Sequence, residues 1–334
     1  MAAFAGTMLA SAVLASVMTA RQDAGPVMRN VLTLIADPTR PSLDHSTIAR
    51  VARALAGAGA LLGEMRPLAP RLACDLTFDV LDCPTAQKAA RLALGRKTID
   101  AVAQPLRGRR KALLVADMES TIIANEMLDE LADFLGLRRK IAAITARAMN
   151  GEIDFAGALR ERVALLKGLP ASRLTQAARR IRITPGATTL VATMRANGAY
   201  CALVSGGFTV FTAAIKQQLG FDFHAANRLK ITAHKLSGTV VPPILGKAAK
   251  LATLRRLARQ QKLKIADTMS VGDGANDLPM LLAAGMGVAY RAKKSVAAAA
   301  RARIDHGDLT ALLYLQGYRR SEFVIPRTSP RKKS

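Results

Sequence analysis

The chain contains no tryptophan, 4 tyrosines, 9 phenylalanines and 3 cysteines among its 334 residues. Cys74, Cys83 and Cys201 are too few for a disulfide framework, and none stands in a CxxC-type metal spacing. A reducing cytoplasm is therefore the expected compartment. Acidic residues are scarce as well, 24 against 49 lysines and arginines, for a formal charge of +25. Such an excess suggests binding to a phosphate backbone. The cations are scattered, however, along helical stretches (Arg138, Arg139 and Lys140; Arg179 and Arg180; Arg255 and Arg256), with one terminal run at Arg331, Lys332 and Lys333. Solvated faces and a basic tail over 319–334 account for them, and no specific nucleic-acid partner is expected. Long apolar runs are also missing. Ala2 to Ala20 is uncharged, but it is too short and too rich in Ala, Ser and Thr for a membrane span, and no basic segment precedes it as in a secretion signal. The run Met28 to Pro38 reads as the start of a domain, leaving 1–27 as an extra segment, disordered or untranslated.

What is present is enough apolar material, 50% of residues, to build two or three cores. Val31 to Ala36 reads as a strand, Thr47 to Leu62 as a helix before a proline-marked break, and Cys74 to Val80 as another strand. Together these define a small α+β module over 28–104, with Pro105 to Arg110 as a linker. Beyond the linker the texture changes. Lys111 to Ala116, Tyr200 to Val204, Thr268 to Val271 and Met286 to Tyr290 are short continuous apolar runs of the kind that parallel strands buried on both faces require. Helical segments separate them, one starting near Thr184-Pro185 and ending before Gly198. This alternation predicts an α/β fold with a doubly wound, mostly parallel sheet over 111–124 and 184–318. Amphipathic stripes (Met127, Leu128, Leu131, Leu135; Leu159, Val163, Leu166) interrupt it, so 125–183 reads as an inserted helical cap that closes over a site and excludes water.

Three of the four runs end in chemistry: Asp117-Met118-Glu119-Ser120-Thr121, Ser205-Gly206-Gly207, and Gly272 to Asp277. In a doubly wound sheet these ends converge on one crevice. Phosphoryl transfer needs a nucleophile, a cation, donors for the phosphate oxygens and a proton donor. Asp117 can attack phosphorus, and with Asp273 it forms a hard oxygen site suited to Mg2+. Ser205 and its glycines offer a hydroxyl and open backbone N–H groups to an anion, and Lys250 a point charge. Singly, each has a structural alternative as a turn, a cap or a surface cation; their order at the ends of three buried strands carries the argument.

These residues resemble the phosphoserine phosphatases of the haloacid dehalogenase superfamily from Lys111 to Tyr318. DMEST is similar to that family's DxDST nucleophile motif, VSGGF to its second and GDGANDLPM to its fourth; NEMLDELA, RAMNGEIDF and ALRERVALLKGLP resemble its cap segments. The resemblance implies a Rossmann-like core and hydrolysis of O-phospho-L-serine through an aspartyl-phosphate, the last step of serine biosynthesis. It implies Asp117 as nucleophile; Asp117, the backbone carbonyl of Glu119 and Asp273 as Mg2+ ligands; and Ser205, Gly206, Lys250 and Asn276 around the phosphate. Glu126 and Arg162 would take the ammonium and carboxylate of serine, and Asp277 would orient Lys250 or the metal site. Glu119 departs from the family pattern, which has aspartate as the general acid and base there. The extra methylene predicts slower turnover, or transfer to another alcohol, since a displacement of about 1 Å can cost on the order of a hundredfold. The alternatives are a phosphatase or phosphotransferase for another small phosphomonoester, or a low-turnover binding protein. The module at 28–104 resembles, more weakly, regulatory amino-acid-binding-type modules. The expected partner is a small-molecule substrate, with no membrane, and a homodimer is the alternative to a monomer.

Overall fold

The central strand of the larger sheet, β5 (Leu113–Ala116), is buried at every position because it has neighbours on both edges and helices on both faces. A computed structural model describes residues 28–149 and 152–326. The expected N-terminal segment, the second half of the basic tail (327–334), and Asn150 and Gly151 within RAMNGEIDF lie outside the described residues.

Residues 30–105 form a four-stranded antiparallel sheet of order β2-β3-β1-β4, made of β1 (Asn30–Ala36), β2 (Leu61–Ala69), β3 (Ala73–Asp79) and β4 (Ile99–Pro105). Two helices cover it. His45–Gly57 is capped by Asp44, which accepts from Thr47 N at 2.7 Å, and Cys83–Leu94 by Asp82, which accepts from Thr85 N at 2.9 Å. The helix expected over Thr47 to Leu62 stops at Gly57. Leu61 and Leu62 open the edge strand β2, where the missing N–H of Pro67 is tolerated.

The larger sheet has the order β11-β10-β9-β5-β6-β7-β8, from β6 (Tyr200–Phe208), β7 (Phe223–Thr232), β8 (Lys235–Val241), β9 (Thr268–Gly272), β10 (Met286–Tyr290) and β11 (Ala302–Ile304). All pairs are parallel except β7–β8, an antiparallel hairpin at one edge. This is the expected doubly wound α/β sheet. The helix read as starting at Thr184-Pro185 begins at Ala187, after Gly186 with φ +83. A Cβ at Gly186 would stand 2.6 Å from Thr310 N, so close approach as well as backbone conformation demands glycine there. Four helices, Met127–Asp133, Arg138–Met149, Phe155–Ala164 and Ser172–Arg179, lie between β5 and β6. Two crossings join them to the sheet, Ala124 N to Arg182 O at 2.9 Å and Thr184 N to Ile122 O at 3.0 Å.

The stretch Pro105 to Arg110, expected to be a linker, is pinned between the two sheets. Arg109 pairs with buried Asp75 at 2.6 Å and donates to the carbonyls of Tyr314 and Leu315 at 2.9 and 3.0 Å. Gln104 adds a bond to Leu315 O at 2.6 Å. Buried polar groups this well satisfied fix one arrangement of the pieces they join. Among the described residues, no helix is long and apolar enough to cross a membrane.

Candidate active site

Strands β6, β5 and β9 lie side by side and parallel, so their carboxyl ends open on one crevice. Asp117 follows β5 directly, its N–H bonded to Val271 O at 3.0 Å. Ser205 sits in β6, and Asp273 follows β9. Lys250, on the first turns of the helix Lys247–Gln260, reaches in from below. Its ammonium is 1% exposed and donates to Asp117 Oδ1 and to Asp277 Oδ1, each at 2.6 Å. Asp277 Oδ2 accepts from Gly274 N at 3.1 Å, which folds the GDGAND turn back on itself.

Asp117, Asp273 and Asp277 each offer an oxygen, all within 4.8 Å of one another. Three carboxylates outnumber the cations that act on them, Lys250 and, at Asp273, Lys293, and leave negative charge in excess in the crevice. The consequences fall on Asp117, Asp273 and Lys250. Burial and the neighbouring Asp277 hold Asp117 well above the usual carboxylate range despite Lys250. Burial, Asp277 and Glu126 push Asp273 up to about 6. Burial alone would lower Lys250, yet Asp117 and Asp277 raise it, so it remains a cation. Such a set of hard oxygens with excess negative charge fits a divalent cation.

Glu119 keeps some exposed surface, but burial of its carboxyl group and then the charge of Glu126 push it up to about 8. Its Oε1 accepts from Met127 N at 2.8 Å, and a Cβ at Gly207 would stand 2.8 Å from Oε2. The glutamate is thus seated, with the bare face of Gly207 making room for it. Against the expectation that the extra methylene slows turnover, the seat is built for the longer acid, and Glu119→Asp is expected to lower turnover about tenfold or more, because the shorter side chain withdraws from the Met127 N–H by about 1 Å. A rise in kcat on steady-state assay would overturn this account of the fit.

The Ser205 hydroxyl, fully buried, accepts from Gly207 N at 2.9 Å. Buried Asn227 ties the loop to its neighbour: its amide donates to Gly206 O at 2.8 Å and its oxygen accepts from Leu245 N at 2.7 Å. Phe155 closes this region from the helical insert, its ring 3.1 Å from where a Gly206 Cβ would be and 3.3 Å from one at Gly246. Arg162, half-buried, donates from Nε to Ala158 O at 3.1 Å, and its charge is felt by Glu119 and Glu126. Glu126 Oε1 accepts from the Ser120 hydroxyl at 2.7 Å, with Ser120 held at φ +54. Asn276 is half-buried beside Gly274.

The geometry therefore brings together Asp117, Asp273, Lys250, Glu119, Ser205 and Gly206, with Glu126 and Arg162 on the side of the insert. The Glu119 carboxylate stands outside the three-oxygen cluster, and Asp277 joins it. Asp277 belongs to the same GDGANDLPM run, but nothing in its spacing distinguishes a third clustered carboxylate from a helix cap. Ser120, Asn227 and Phe155 carried no sequence signal of their own.

A sheet, insert and site of this kind are the arrangement of the haloacid dehalogenase-like hydrolases. The family model for haloacid dehalogenase-like hydrolases matches residues 114–282, and the chain belongs to that family. A phosphoserine phosphatase of Streptomyces coelicolor is 43% identical over 238 residues, 71% of this chain and 58% of that protein. One of Lactococcus lactis is 43% identical over 203 residues, 61% of this chain and 94% of that protein. The chain thus spans less than two thirds of the Streptomyces protein and nearly all of the Lactococcus one. The crystal structure of a haloacid dehalogenase family hydrolase from Salmonella enterica serovar Typhi superposes with a TM-score of 0.77 at 30% identity, covering 86% of this chain and 97% of that one.

Proposed function

We propose that the chain hydrolyses O-phospho-L-serine to L-serine and inorganic phosphate through an aspartyl-phosphate on Asp117. The observation that carries this reading is the buried Asp117 carboxylate held at 2.6 Å by Lys250 and flanked by two further carboxylates. A second support is the set of relatives named above, which are phosphoserine phosphatases.

Asp117 attacks phosphorus, the bond from phosphorus to the serine oxygen breaks, and Glu119 hands its proton to that departing oxygen. Glu119, now a carboxylate, takes a proton from water as the water oxygen attacks the phosphoryl group and frees Asp117. Lys250, Ser205 and the Gly206 region hold the phosphoryl oxygens, with Asn276 beside them. Glu126 takes the substrate ammonium and Arg162 its carboxylate. Phe155 and the segment 125–183 keep bulk water from the intermediate. Asp117, Asp273 and the backbone carbonyl of residue 119 would hold Mg2+, with Asp277 adjacent, and the ion would supply positive charge to the phosphoryl oxygens. The cytoplasm is the proposed compartment, supported by three free thiols.

Chelator-treated protein is expected to lose turnover and to regain it with millimolar Mg2+. Binding only to the folded state, the ion also raises stability, by about 2.7 kcal/mol at a hundredfold excess over its dissociation constant. Thermal melts of Asp273→Asn should lack that rise.

Three substrates test the specificity: phosphoserine, phosphoethanolamine, which lacks the carboxylate, and 3-phosphooxypropanoate, which lacks the amine. Arg162→Gln is expected to raise KM about tenfold to a hundredfold for phosphoserine and to leave phosphoethanolamine unaffected. Ser120→Ala frees Glu126, and should raise KM about tenfold for the two amine-bearing esters only. Equal kcat/KM for all three esters in the unmodified protein would exclude phosphoserine as the substrate.

A further inference from the structure

Away from the catalytic crevice, a cavity of about 110 Å3 lies on the seam between the two sheets, lined among others by Arg91, Lys97, Asp100, Arg303, Asp305 and His306. The first three belong to the N-terminal four-stranded unit and the last three to the β11 edge of the larger sheet.

Its anions are already engaged. Asp100, 4% exposed, accepts from three consecutive backbone N–H groups, Asp305 at 2.9 Å, His306 at 3.1 Å and Gly307 at 2.8 Å. Asp305 pairs with Arg303 Nε at 2.7 Å. The cations are not used up. Arg91 is half-buried, and its guanidinium makes no hydrogen bond or ion pair among the described residues; it faces the charge of Arg303 and, more weakly, those of Asp305 and Asp100. Lys97 gives one proton to Thr47 Oγ1 at 2.6 Å, which leaves two donors, and the outer nitrogens of Arg303 are likewise unspent.

Arg91 is half-buried and Arg303 is 40% exposed, and with Lys97 in the same wall three cations face the two carboxylates, an excess of positive charge that an anion can meet. The loop 305–307 cannot fill the gap, because its amides are turned away onto Asp100. We propose that this seam is a binding site for a small, multiply charged oxyanion, inorganic phosphate being the simplest case, held by Arg91 and Lys97 from one unit and Arg303 from the other. The space accommodates one small tetrahedral anion. Because the donors come from both sides of the seam, the bound anion clamps the N-terminal unit to the core and stabilises the joined state by mass action. The inference is independent of which ester the catalytic crevice hydrolyses.

Selenate soaked into crystals of the full chain grown without oxyanions tests the position directly. An anomalous peak between Arg91 and Arg303 is expected; a peak at the catalytic crevice alone overturns the proposal. In solution, sulfate should raise the melting temperature saturably, and Arg91→Gln should weaken that response about tenfold in apparent affinity. Arg91→Lys, which keeps the charge, should retain part of it. Phosphoserine turnover by both variants should match the parent, which reports that they fold. An identical sulfate response in the parent and in Arg91→Gln would assign the stabilisation to other sites and sink the proposal.

Discussion

Asp117→Asn is expected to reduce phosphoserine turnover by at least about four orders of magnitude, equivalent to some 5.5 kcal/mol of lost transition-state stabilisation. The amide has the shape of the carboxylate but is not a nucleophile toward phosphorus. The fold should persist, since Lys250 retains Asp277 at 2.6 Å and the crevice loses one of three crowded negative charges. Melting temperature is therefore expected to hold or to rise. Acid quenching during turnover should trap an acyl-phosphate on the parent protein and none on the variant. Turnover within tenfold of the parent, or a phosphoryl group trapped on another residue, would remove Asp117 from the nucleophile's role.

Lys250→Met is expected to be nearly as damaging, and by two routes. Lys250 is bonded to two of the three clustered carboxylates, Asp117 and Asp277, and is 1% exposed. Removing one partner from a buried ionic set leaves the others uncompensated, at a cost of roughly 3–5 kcal/mol in stability. Turnover should fall by about 10²–10³-fold as well, the usual effect of losing one donor aimed at developing charge. The two losses separate experimentally. Saturating Mg2+ should restore part of the stability, because a divalent ion meets the same carboxylates, while the rate remains low. A variant as stable as the parent in chelator would show that the three carboxylates are not charged together, and the charge-deficit argument for the cation would fail.

The parts of this molecule legible from residues alone share one property: their environment is uniform along the segment. Leu113 to Ala116 and Met286 to Tyr290 are buried throughout, so a continuous apolar run announces them. β2 was not legible. It is an exposed edge strand carrying Gly63 and Pro67, and its apolar start at Leu61 and Leu62 reads as the end of the preceding helix. The β7–β8 hairpin escaped for the same reason, being half-exposed at the other edge. Asp117, Ser205 and Asp273 stood out because each follows a buried run. Asn227 and Ser120 did not, because what matters about them is a partner: Leu245 is 18 residues from Asn227, and Glu126 lies across a turn from Ser120; Asp277 was marked by the family resemblance alone, as a residue that would orient Lys250 or the metal site.

By itself the sequence determined the alternation of buried strands and helices, and with it the crevice at the strand ends, because hydrophobic periodicity is local and survives without coordinates. It also determined which carboxylates are available to the chemistry. Only the tertiary structure decided that Asp117 and Asp277 share one ammonium with Asp273 beside them, that Gly207 leaves space for the longer acid at Glu119, and that Arg91 and Arg303 meet at the seam. Charge balance and steric fit depend on distances through space, and those are set by the packing of segments far apart in the chain.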